Sequence, residues 1–443
     1  MLYKRLFRID ALLNIYFIIL IIGIIVQFIE QIRYGDHQVA WNLSEWLVNY
    51  QGGFVRRGLR GEVIYQLYTH FAIEPYTSIR VITVSSYILL TIFFVRSFVK
   101  KGYSLFILPC VFFLGNPILN GFWLRLDSVL CLLIIGITYF LTKKNKFNLL
   151  WVNILLIIGL LLHEIIIFIT IPIVILFLIN QKRNSNNNEN KPSINLLFFS
   201  CISLLPVIIV FFLVFIFNGS EPIVAKIWQS WGPTPFSFDF SREIHGNDYP
   251  GALQAITFNF KEGLKLSKEG LIFFSNGIYN PIAVLFSILG TFYVLSNINF
   301  LEFRTLSFYP KNNDNKNLIG KVLFFQFCTT IPLYFLGYDY GRWIFLWVIS
   351  SFILLLIIPE KQLEFTIPDF FGSLATKLNN LLGNLLGNTQ KSIIIIASII
   401  GFSTTLWFFK KSVETTSLYV ILGTISSFVR KVFMLFNWDF FWA

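Results

Sequence analysis

The sequence predicts an all-α fold, a polytopic transmembrane helical bundle of eleven to twelve spans with surface-lying helices in its first outer loop. Three observations predict it. Of 443 residues, 56% are hydrophobic and only 13% charged. The mean hydropathy is +0.69, and Ile-, Leu- and Phe-rich runs recur at a length near the about 20 apolar residues that cross a hydrocarbon core. Basic clusters punctuate those runs at Lys100/Lys101, Lys143/Lys144/Lys146, Lys182/Arg183, Arg304/Lys311/Lys316/Lys321 and Lys361/Lys377, after every second one. No soluble domain of ordinary size fits between the runs, so residues 1–443 read as one integral-membrane domain.

The first run, near residues 13–30, follows Lys4, Arg5 and Arg8 and lacks a small-residue cleavage site. It reads as an uncleaved first span with the N-terminus inside. The basic clusters then mark cytoplasmic segments, with linkers at 181–194, 297–320 and 359–391. Apolar stretches bounded by basic residues at both ends must go out and back. They turn at Asn120–Asp127, at His163-Glu164 and at Gly337–Trp343. This gives eleven spans; a twelfth, near 416–430, is amphipathic enough to lie in the interface instead. The longer outer loops are 31–78 and 218–279, whose Trp41, Trp46, Trp228 and Trp231 suit the headgroup level.

In the first of these loops, Asn42 can cap a helix with Glu45 reaching back from its third position, and Leu43, Trp46, Leu47 and Tyr50 share one face. A short helix lying flat on the membrane and broken at Gly52-Gly53 is expected. On the inner side Leu374, Leu378, Leu381, Leu382 and Leu385 predict a second surface helix.

Composition also excludes. The net charge of +12 comes largely from lysines in short loops, which encode orientation, so nucleic acid is set aside as a partner. Cys110, Cys131, Cys201 and Cys328 fall within apolar runs without C-x-x-C spacing and read as packing residues. No GxxxxGK[ST], GxGxxG, HExxH or D-x-D pattern occurs, which leaves nucleotide hydrolysis, dinucleotide redox chemistry, zinc proteolysis and metal-nucleotide-sugar transfer without support.

The chemistry gathers on the expected outer face. Asn49-Tyr50-Gln51-Gly52-Gly53-Phe54-Val55-Arg56-Arg57-Gly58-Leu59-Arg60-Gly61-Glu62 sets three arginines beside a glycine pair where basic residues are normally sparse. Gly52 and Gly53 let the backbone bend and approach a ligand. Arg56 and Arg60 share a helical face with Arg57 beside it, and guanidinium forks suit phosphate or pyrophosphate oxygens. The same arginines could instead touch lipid headgroups. Three hairpin turns add Arg125/Asp127, His163/Glu164 and Asp339/Arg342 at or just within the hydrocarbon boundary, where ionisable groups pair or line a wet cavity. Asp36 is the first candidate general base, with Asp339 and Asp127 as rivals, and each could equally be a capping or ion-paired residue. His163-Glu164 could orient a hydroxyl or bind a divalent cation, but no third ligand is identifiable. Pairing with Arg125 or Arg342 is the plainer reading. No other cofactor is implied.

The block Asn49–Glu62, with Gly337-Tyr338-Asp339-Tyr340-Gly341-Arg342-Trp343 downstream, resembles an uncharacterised family of bacterial polytopic membrane proteins of surface-polysaccharide loci. More loosely, the span number, the acid after the first span and the outer arginines are similar to type C glycosyltransferases and O-antigen polymerases. Where type C enzymes often carry an acidic pair in the first loop, this chain has Asp36-His37 and then Glu45. The resemblance implies a polyprenyl-phosphate-linked sugar donor and a glycan acceptor at the outer face of a bacterial cytoplasmic membrane. Arg56, Arg57, Arg60, Arg125 and Arg342 would bind phosphate, and Trp41, Trp231 and Tyr340 would stack on sugar rings. A transporter or flippase of lipid-linked saccharides, or a non-catalytic partner of other polysaccharide-assembly proteins, is the alternative.

Overall fold

The computed structural model describes residues 40–119, 123–143, 147–185, 193–232, 249–259, 261–265, 279–298, 316–337 and 339–401, with isolated positions elsewhere. Among the described residues every regular element is a helix. The longer ones are α1 (Gly58–Phe71), α2 (Pro75–Lys101), α3 (Asp127–Thr142), α4 (Asn148–Leu162), α5 (Ile166–Ser185), α6 (Ser193–Ser203), α7 (Leu205–Ile216), α8 (Glu221–Ser230), α9 (Tyr279–Ser296), α10 (Lys316–Leu336), α11 (Tyr340–Ile357), α12 (Asp369–Leu386) and α13 (Gln390–Gly401).

Among the described residues four helices are long and apolar enough to cross a membrane: Pro75–Lys101, Ile166–Arg183, Asn317–Leu336 and Tyr340–Ile357. The pair α6 and α7, bent by 70° at Leu204, makes a fifth if counted as one span, and α3, α4, Val284–Ser296 and α13 are shorter apolar helices. The expected first span is described only at isolated helical positions such as Ile24 and Phe28, and Asp36 and the segment 416–430 lie outside the described residues.

Local chemistry sets the ends. Glu74 accepts the Thr77 N–H at 2.7 Å and Pro75 opens α2, while Gly102, in the left-handed region at φ 70°, closes it just after Lys100 and Lys101. α11 forms the axis of the molecule: every residue from Tyr340 to Leu355 is buried. It packs on α2, α3, α5 and α10. Side chains tie helices together by donating to backbone carbonyls, as Trp347 Nε1 does to Leu323 O at 2.8 Å and Gln326 Nε2 to Ile169 O at 3.2 Å.

Residues 104–119, expected as the rising half of a hairpin, are not one helix. They form a 3-10 turn at Leu105–Ile107, successive turns, and the short helix Asn116–Leu119. Pro109, Gly115 and Pro117 break the helical ladder. Irregular backbone is tolerated at such depth only inside protein. Here Val111 N–H bonds Gly401 O at 2.7 Å, Tyr87 Oη donates to Leu114 O at 2.6 Å and Asn116 Nδ2 to Gly341 O at 3.1 Å.

The segment expected to form the first outer loop also differs from expectation. Ala40–Ser44 is a short helix continued by a 3-10 turn at Glu45–Leu47, and residues 42–49 are buried, not laid on a surface. The amphipathic segment expected between 374 and 385 is helix α12, which packs on α10 and leaves Leu374, Leu381 and Leu385 exposed.

Candidate functional site

The charged hairpin turns and the arginine block converge at one end of the bundle. Four arginines, Arg57, Arg60, Arg125 and Arg342, face four carboxylates, Glu45, Asp127, Glu164 and Asp339. The two aspartate-arginine turns make their closest ion pairs with each other. Arg342 Nε, from the first turn of α11, lies 2.9 and 2.7 Å from the two oxygens of Asp127, which opens α3. Arg125 reaches back to Asp339 at 2.5 Å and donates to Asn42 Oδ1 at 2.6 Å. Arg342 Nη1 also stands 3.7 Å from Asp339. The two turns therefore exchange ion pairs.

Arg60 and Glu45 form the third pair, at 3.3 Å. Glu45, expected to cap its own helix, is instead the partner of Arg60. Burial works against its charge, yet Arg125, Arg60 and Arg342 together hold its carboxyl far below the ordinary carboxylate range. Burial dominates at Arg60 and pulls it down to about 10.

Arg57 and Glu164 form the fourth pair, in which Nε and Nη2 both donate to the carboxylate, Nε at 3.1 and 2.9 Å. Against the opposing effect of burial, Arg57 keeps the Glu164 carboxyl well below its ordinary value. Asp339 is lowered likewise, with burial overcome by Arg125 and Arg342. His163 is buried and stays neutral, because burial and then Arg57 disfavour its protonation. Its Nδ1 accepts from the Ile165 N–H at 3.3 Å, an arrangement that suits the neutral ring.

Accessibility is graded. The side chains of Arg60, Arg342 and Asp127 are 1%, 3% and 4% exposed, against 21% for Arg57, 24% for Glu164 and 28% for Asp339. The cluster thus has a sealed interior and an edge formed by Arg57, Glu164 and Asp339. Within the interior, Arg60 Nε and Arg342 Nη2 find no hydrogen-bond partner among the described residues.

The arginine block owes its shape to contacts within the protein. Asn49 Nδ2 donates to Ser230 Oγ at 2.9 Å, and Glu62 accepts the Tyr50 N–H at 3.0 Å. Gly53 takes φ 116°, a left-handed value, and a Cβ on Gly61 would stand 2.1 Å from Val48 O. Gly52 does lie where backbone approaches closely, but the approaching group is the Ile223 carbonyl of α8, 2.6 Å from where a Cβ would sit.

Arg56 and Arg60 do not share a helical face, because α1 begins only at Gly58. Arg56 Nη2 instead donates to Ala255, Ile256 and Phe258 O at 3.0 to 3.1 Å, stapling the segment before α1 to the one that follows α8. Arg57 itself adopts φ 63°, a strained value for a side-chain-bearing residue, and from there reaches Glu164.

The aromatic residues expected to stack on sugars are engaged by protein. Trp231 is buried and its Nε1 donates to Leu47 O at 2.9 Å. Tyr340 is buried and stacked on Tyr334, and the half-buried Trp41 packs over Gly251. Trp46, missed as a site-building residue, donates Nε1 to Leu124 O at 2.7 Å beside Arg125.

Among the described residues no three His, Cys, Asp or Glu side chains converge as a metal site would require. No protein-family model, curated protein or solved structure matches this chain.

Proposed function

We propose that the chain is an integral-membrane glycosyltransferase or polysaccharide polymerase that takes sugar from a polyprenyl-phosphate-linked donor at the outer face of a bacterial cytoplasmic membrane. In this reading the chain has eleven to twelve spans, its N-terminus lies inside, and the charged end faces outward. One observation carries it: arginines and acids from four distant segments meet at a single end of an apolar bundle, with Arg57, Glu164 and Asp339 at the accessible edge. Ionisable groups placed so deep serve function by default.

Arg57 holds the donor phosphate, and the buried Arg60 and Arg342 behind it supply positive potential as the phosphate leaves. Asp36 takes the proton of the acceptor hydroxyl. Asp339, drawn down by two arginines, is too weak a base to do so readily and positions the acceptor instead. Any divalent cation would sit at Glu164 and enter with the donor.

The bent pair α6 and α7 favours a second reading, a flippase of lipid-linked saccharides, since transporters use broken helices. The carbonyl of Ser203 at the bend is satisfied by Asn153 Nδ2 at 3.1 Å, as a permanent structural break would require. Purified protein incubated with polyprenyl-linked oligosaccharide decides between them by gel laddering and mass spectrometry. Extended glycan marks a polymerase and single addition a transferase. Unchanged lipid that crosses a proteoliposome bilayer marks the flippase. Arg57→Ala is expected to abolish transfer without lowering protein level, and normal product from that variant would sink the phosphate role.

A further inference from the structure

Resting on the reading of Arg57 as the phosphate ligand, we propose that Glu164 is a tethered anion that occupies the phosphate site of Arg57 in the resting protein and is exchanged for the phosphate or pyrophosphate group of the incoming substrate.

Several features single out this pair. It is the only one of the four whose two partners are both more than a fifth exposed, at 21% and 24%. Its geometry is a two-pronged fork from Nε and Nη2 onto one carboxylate, the arrangement a phosphate would accept with the same two donors. Arg57 Nη1 has no partner among the described residues, so the second phosphoryl group of a pyrophosphate can take a bond that a carboxylate seated on Nε and Nη2 leaves unused.

Nor is Glu164 held on its far side. Its neighbour His163 turns the unprotonated Nδ1 toward Oε2 at 3.5 Å, and that nitrogen accepts from Ile165 and donates nothing to the carboxylate. The other acids are anchored differently. Asp339 is shared between Arg125 and Arg342, while Asp127 and Glu45 are sealed inside. Glu164 follows α4 and precedes α5 in a short turn, so its release costs no helix. Exchange of one anion for another keeps the buried cluster near neutrality, whereas adding a phosphate to an already paired cluster would not. The displaced carboxylate then faces the reacting region, where it can receive the hydroxyl-bearing acceptor or a cation.

The test is anion binding by the full-length protein in nanodiscs, using inorganic pyrophosphate and, separately, nanodiscs containing a short-chain polyprenyl phosphate. Wild type should bind weakly, Glu164→Gln at least about tenfold tighter, as removal of a charge-assisted competitor implies, and Arg57→Ala not at all. Tightening with both probes assigns a site for free or lipid-borne phosphate. Tightening with the lipid alone assigns a headgroup site.

Glu164→Asp keeps the charge but shortens the reach, so its affinity should fall between wild type and Glu164→Gln. Equal affinity in wild type and Glu164→Gln, with sugar transfer intact, overturns the exchange while leaving the transferase reading in place. Absence of both binding and transfer removes both. Failure of both Glu164 variants to accumulate as monodisperse protein makes the pair a structural bridge and also overturns the proposal.

Discussion

The two ends of the bundle use ion pairs in opposite settings. At the lysine end, Lys101 meets Glu360 at 3.2 Å with both side chains substantially exposed, and Lys321 reaches a fully exposed Asp369 at 2.7 Å while also donating to Glu364 O. Water shares the Lys101–Glu360 pair and the Asp369 carboxylate, although Lys321 itself is buried, and exposed pairs contribute little. At the interior of the arginine end the partners are withdrawn from water and bonded across segments more than 200 residues apart, as in Arg342 with Asp127. A guanidinium there cannot lose its partner without leaving a naked charge. Arginine, with its planar fork, suits the sealed end, and lysine, with a compact hydrated head, suits the open one.

The comparison breaks first at Asp127→Ala. It takes both close bonds from the buried Arg342 and leaves it only Asp339 at 3.7 Å, so destabilisation of about 3 kcal/mol is expected, read as loss of monodisperse protein on gel filtration in detergent. Next is Arg56→Ala, which frees three carbonyls near residues 255–258. Charged hydrogen bonds of this kind place its cost at about 2 kcal/mol, and protease cleavage near residues 255–258 should rise.

Acid sharpens the contrast through His163. Its folded value is depressed below the ordinary 6.5, so the unfolded chain takes up the proton first and stability is lost as pH falls below 6.5. Glu164 is depressed below 4.5, so its contribution is intact above that value and fades only below it. Melting temperatures from pH 7.5 downward should therefore fall in two stages, and His163→Gln should flatten the first, whose slope is about 1.4 kcal/mol per pH unit. The smallest effect belongs to Lys101→Ala, at most about 1 kcal/mol, indistinguishable from wild type in the same melts.

The sequence made the charged turns visible because ionisable residues interrupting apolar runs stand out against their surroundings. Arg125, Asp127, His163, Glu164, Asp339 and Arg342 were all legible as one end of a bundle, and the structure brings them together. Their partners were not legible. Asp127 is two residues from Arg125 in sequence, but its ion pair is with Arg342, a choice fixed by how α3 and α11 pack, which local spacing does not encode.

Glu45 fitted a capping pattern, and Asn42 a cap; both side chains instead serve arginines. Trp231 looked like an interface anchor because amphipathic rings favour that level, but an indole buried with its N–H satisfied looks the same in sequence. The span at 104–119 was expected from hydropathy alone, which registers apolar content and is blind to what Pro109 and Pro117 do to a helical ladder.

The crossed pairing of Arg125 with Asp339 and of Asp127 with Arg342 also bears on how the protein is made. A ribosome releases the early turn long before the late one, so for more than 200 residues of synthesis Arg125 and Asp127 are present without the groups that neutralise them. Nascent chains halted before residue 339 must keep that turn hydrated or shielded by the insertion machinery. Only arrival of the late turn completes the two crossed pairs, so closure of this end comes late in folding.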